Sequence, residues 1–80
     1  MSVLFHLYSS EGWHLCEQAH TLIKSIIPEH QLRVIDIVND DINGIDLVEL
    51  YGVHIPLLER LADNSKLFWP FEQTQVVELI

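Results

Sequence analysis

An 80-residue chain suffices for one domain and no more, and 49% hydrophobic with 20% charged residues reads as globular, not disordered. Twelve acids against four bases give a net charge of −8, which argues against nucleic acid and against an anionic membrane surface, both of which are bound through basic charge. The single cysteine excludes an internal disulfide framework and an all-thiolate zinc site. No stretch approaches the roughly 18 apolar residues of a membrane span, and Met1 to Tyr8 has neither the basic start nor the small-residue cleavage site of a signal peptide. The expectation is a soluble, cytoplasmic protein.

Val3 to Tyr8 is an almost unbroken apolar run ended by Ser9-Ser10-Glu11-Gly12, which predicts a buried strand. From Leu15 the period changes. Leu15, Ala19, Leu22, Ile23 and Ile26 recur at helical spacing, and Pro28 stops the helix they define. Leu32 to Val38 is rich in β-branched residues and too apolar for a half-exposed edge, so it is expected inside the sheet. Asn39-Asp40-Asp41 offers helix N-caps. Ile42, Ile45, Leu50 and Tyr51 would line a short second helix, with Gly44 weakening its first turn and Gly52 as its stop. Pro56 to Leu61 and Lys66 to Trp69, joined by the turn residues Asp63-Asn64-Ser65, predict an antiparallel hairpin. Pro70 is expected to open a last helix whose apolar side is Val76, Val77 and Ile80. The order β-α-β-α-β-β-α places a parallel, right-handed βαβ unit beside a hairpin, a mixed four-stranded α/β sheet with helices on both faces.

Two local motifs resemble a known family. Leu7-Tyr8-Ser9-Ser10-Glu11-Gly12-Trp13-His14-Leu15-Cys16-Glu17 is similar to the strand-to-helix loop of small bacterial glutaredoxin-like proteins, which usually carry Cys-His-Leu-Cys there. Tyr51-Gly52-Val53-His54-Ile55-Pro56-Leu57-Leu58 resembles the Tyr-Gly-Val-x-x-Pro-Val-Leu stretch of thioredoxins and glutaredoxins, and Trp69-Pro70-Phe71 also looks typical of that subfamily. The resemblance covers nearly the whole chain, residues 1–80 as one domain, and implies a thioredoxin-like fold. It further implies a cis bond before Pro56, the single such bond expected, aiming the backbone of Ile55 at the start of the first helix. The bland alternative for Pro56 is a turn proline that opens a strand.

The same alignment puts Trp13 where the attacking cysteine of a Cys-x-x-Cys site would stand and leaves only the resolving position, Cys16, with its sulfur. A two-thiol cycle within one chain needs both. Two readings follow. In one, Cys16 is a single catalytic thiol that exchanges with glutathione or a protein thiol, aided by the helix N-terminus and by the nearby His14 and His20. In the other, the domain is a non-catalytic module that binds a peptide or protein partner through Trp13, His14, Ile55, Pro56 and Tyr8. A further alternative is a metal or cluster carrier in which two chains share Cys16 and glutathione: Cys16 and His20 have metal-ligand spacing, with His14, His54 or a second chain as further donors, but scattered histidines on an acidic domain are more often solvent-facing, and no metal is assigned. The expected ligand set is thus glutathione or a peptide, with no resident cofactor, no nucleic acid and no membrane, and the oligomeric state left open. Trp69 and Phe71 are expected in the core, and Asp36, Asp40, Asp41, Asp46 and Glu49 on a solvated side of the second helix and the loop before it.

Overall fold

The computed structural model describes residues 3–10, 12–40, 44 and 46–80. Four strands, β1 (Phe5–Ser9), β2 (Leu32–Asp36), β3 (Leu57–Arg60) and β4 (Ser65–Phe68), form one sheet in the order β2-β1-β3-β4. β1 is parallel to β2 and antiparallel to β3, and β3 and β4 make the antiparallel hairpin. Three helices, α1 (His14–Lys24), α2 (Leu47–Tyr51) and α3 (Gln73–Leu79), complete the predicted thioredoxin-like order. Among the described residues, no helix is long and apolar enough to cross a membrane.

The sheet separates two cores because side chains alternate along each strand. Phe5, Leu7 and Leu58 face α1 and α3, where they meet Ala19, Ile23 and Val76. Tyr8, Ile35 and Leu57 face the other way and are covered by Leu47 and Tyr51 of α2. β1 and β3 are the strands covered on both faces, and both are nearly all buried.

β2 is an edge strand, which corrects its expected place in the interior. Its β-branched residues have different environments: Ile35 is fully buried under α2, while Val34 is 44% exposed at the rim. An apolar, β-branched run therefore reports a strand but not its position in the sheet. α1 ends at Lys24, before Pro28; Ser25 closes it and Ile27 continues into the core as irregular chain. Pro28 precedes a single 3-10 turn at Glu29–Gln31.

α2 is shorter than predicted and is capped by Asp46, whose carboxylate accepts the Glu49 N–H at 3.1 Å, not by Asn39 or Asp40. Asp36, Asn39 and Asp40 instead bond among themselves in the turn after β2. Leu47 is the buried residue of α2, Leu50 faces solvent, and Asp41, Ile42 and Ile45, expected in or before this helix, lie outside the described residues. Gly52 does follow α2, for a reason of space: a Cβ there would collide with the Val48 carbonyl oxygen.

α3 begins after Glu72, which forms a capping box with Gln75, so Pro70 does not open the helix. Its buried side is Val76 and Leu79, whereas Val77 and Ile80, predicted on that side, are exposed. Phe71 is buried and Trp69 packs against the same core. The Ile55–Pro56 bond is cis, and Trp69–Pro70 is cis as well, which corrects the expectation of one.

Candidate functional site

The loop between β1 and α1 is short and turns sharply. Trp13 N–H donates to the Ser10 carbonyl at 3.2 Å, and Gly12 within that turn has φ +82°, where a side chain would be strained. The turn sets Trp13 as the N-cap of α1. Its indole supplies no side-chain cap, and its carbonyl accepts from the N–H of Cys16 at 3.0 Å and of Glu17 at 3.4 Å.

At the same end of the sheet, α2 runs out into Gly52–Ile55 and the chain enters β3 through Pro56. These two loops face each other across a cleft of about 470 Å³ lined by Ser10, Gly12, Trp13, Gly52, Val53 and Ile55. Trp13 is 45% exposed and Val53 is 91% exposed, so the walls are apolar and open to solvent. The Pro56 carbonyl accepts the Trp69 N–H at 3.1 Å, which ties the loop to the chain leaving β4. Among the described residues, the main chain of Ile55 has no hydrogen-bond partner.

Trp13 and Ile55 thus lie on one cleft as predicted, and Pro56, which follows Ile55, is buried and does not line it. The other named residues lie elsewhere. His14 stacks beside Trp13, with ring centroids 5.4 Å apart, but lines a separate groove of about 620 Å³ with Glu17, Gln18 and Gln73. Cys16 is 5% exposed and does not line the cleft. It borders a smaller hollow of about 170 Å³, toward Glu17, His20 and Val34, that shares Ser10 and Gly12 with the cleft. Burial pushes its thiol above the ordinary value, and the main-chain N–H of Ser10 only partly opposes this. Among the described residues, no group of three or more His, Cys, Asp or Glu is disposed to hold a metal ion.

Tyr8 is 4% exposed and does not reach the cleft. Its ring lies under Tyr51 at 4.6 Å, and its hydroxyl donates to Glu59 Oε1 at 2.9 Å. Because that proton is committed, His6 Nδ1, 3.3 Å from the same oxygen, is the donor there. Glu59 is itself buried and is met on its other oxygen by Asn64 at 3.2 Å and Lys66 at 3.4 Å. Burial and then Glu59 hold the Tyr8 hydroxyl far above its ordinary pKa, so it stays a donor. This placement removes Tyr8 from the expected contact surface. Alternation along β1 sends it to the α2 face, a consequence of strand register that the apolar run did not display.

Sequence reasoning also passed over Val53 and the Gly12 and Gly52 walls. Val53 stood in the quoted motif, and its signal was an apolar residue in a loop between Gly52 and His54.

A four-stranded mixed sheet with α1 and α3 on one face, α2 on the other, and a cis-proline loop facing the first helix defines a thioredoxin-like domain. The family model described as glutaredoxin-like domain (DUF836) matches residues 5–80, and the chain belongs to that family. An X-ray structure of the Northeast Structural Genomics target protein XcR50 from X. campestris superposes with a TM-score of 0.74 at 23% identity, covering 94% of this chain and 92% of that one. It shares the fold. None of the curated proteins matches the chain.

Proposed function

We propose that this glutaredoxin-like domain is a binding module, without two-thiol redox chemistry, that holds an extended peptide segment in the cleft between Trp13 and Ile55. The observation that carries this reading is the exchange of roles between residues 13 and 16. The accessible position at the start of α1 is an indole, and the single thiol of the sequence, Cys16, is buried and held above its ordinary pKa. An indole cannot attack a disulfide, and a buried neutral thiol is a poor nucleophile. The open main chain of Ile55 supports short strand-like pairing with a guest backbone, and the apolar walls support side-chain contact.

The competing reading is single-thiol exchange at Cys16 with glutathione or a protein thiol. Reduction of a small mixed disulfide separates the two. The wild-type protein is expected to show no turnover above buffer. Trp13→Cys is expected to gain it, because an N-cap side chain lies next to the third helical residue, here Cys16. Wild-type turnover that disappears in Cys16→Ser would establish the single-thiol enzyme instead.

A further inference from the structure

Building on the reading of the cleft as a peptide site, we infer that its guest is a cationic extended segment, one carrying Lys or Arg beside the residues that enter between Trp13 and Ile55. The four bases of the chain all lie away from the cleft. Lys24 is in the last turn of α1, at the far end from Trp13. Arg33 stands in the lower half of β2, opposite His6. Arg60 ends β3, where its guanidinium holds Asp63 and the Leu79 carbonyl. Lys66 pairs with Glu59 across the hairpin.

The cleft end is formed by the outlets of β1 and β2 and the inlet of β3, and among the described residues the carboxylates there have no Lys or Arg partner. Glu17 is in the first turn of α1, and Asp36 closes β2 with Asp40 bonded to its N–H. Asp46 caps α2 and Glu49 lies in its first turn, on the helix that runs into Gly52 and Val53. Among the described residues the ion pairs are Arg60–Asp63 and Lys66–Glu59, so none of these five carboxylates is neutralised by a base. The bonds that Asp36, Asp40 and Asp46 accept come from neutral N–H groups and leave their charge in place.

An apolar cleft at an end of the sheet that gathers uncompensated carboxylates attracts a guest whose middle is apolar and whose flanks are positive. It disfavours glutathione, whose two carboxylates outweigh its one ammonium at neutral pH. No lysine or arginine lines the cleft to receive either carboxylate.

The test is selection from a random hexapeptide library against the wild-type domain, with Trp13→Ala and Val53→Ser as controls; Val53 is so exposed that folding is not at stake there. Retained peptides are expected to carry Lys and Arg at about five times their input frequency, and a synthetic retained peptide to bind about tenfold more weakly at high salt or to a Glu17→Gln, Asp46→Asn, Glu49→Gln variant. Asn preserves the cap of α2, so that variant keeps its helix. Retention of neutral or acidic peptides that is lost in both controls would overturn the charge inference and leave the cleft reading standing. Retention no greater on wild type than on the controls would overturn both.

Discussion

The sulfur of Cys16 sits in the first turn of α1, where opposing effects meet. The helix terminus favours a thiolate by about 0.3–1 kcal/mol, less than one pKa unit. Burial acts the other way and can amount to several units. At 5% exposure burial wins, and the thiol titrates above its ordinary value. Alkylation by iodoacetamide at neutral pH is therefore expected to be no faster than that of a free thiol; a clearly faster rate with a midpoint below neutrality would mean the sulfur is open to water. The same shift has a sign in stability. A thiol whose folded pKa is raised binds its proton more tightly in the native state, so its contribution is whole below the ordinary value of about 8.5 and is lost as pH rises through the raised one. Denaturation midpoints measured across alkaline pH should fall from that point upward. Cys16→Ala should delay the fall to above about pH 10, where Tyr8, also raised, follows the same sign.

Between strands, the row Arg33, His6, Glu59, Lys66 crosses the whole sheet through direct pairings. Glu59 is the buried charge in that row, and Tyr8 is its shortest side-chain donor. Tyr8→Phe should cost about 1.5–3 kcal/mol, because a buried carboxylate loses a charge-assisted bond. Urea titration checks this, and Glu59→Gln should reduce the penalty of the second substitution when the two are combined; additive costs would mean the bond carries little. Nothing in the sequence pointed to this network, since it depends on register between strands 51 residues apart. What local patterning does convey is narrower. The Ser9-to-Gly12 stop, the Gly52 stop and the Asp63–Ser65 turn placed the element boundaries to within a few residues. The second helix was harder, because Asp46 competes with three earlier capping residues and only Leu47 is buried to reveal the helical face. Trp13 and Ile55 were legible as one site through a resemblance between motifs, not through periodicity.

At the scale of the molecule, chain order gave the topology but not the rank of strands. Leu32 to Val38 reads as the strongest strand, too apolar for a half-exposed edge, yet β2 lies at the edge, with Ile35 buried and Val34 exposed. Net charge was legible from composition, whereas the placement of its parts, with the bases toward one end and the unpaired Glu17, Asp36, Asp40, Asp46 and Glu49 toward the other, needed the fold. The same placement bears on the central claim, that this domain holds a guest without exchanging thiols. Incubation of the wild-type protein with oxidised glutathione, followed by mass spectrometry of the intact chain, tests that claim most directly. The predicted result is the unmodified mass, with a mixed disulfide appearing only in Trp13→Cys. Rapid addition of glutathione to Cys16 in the wild-type protein would contradict it.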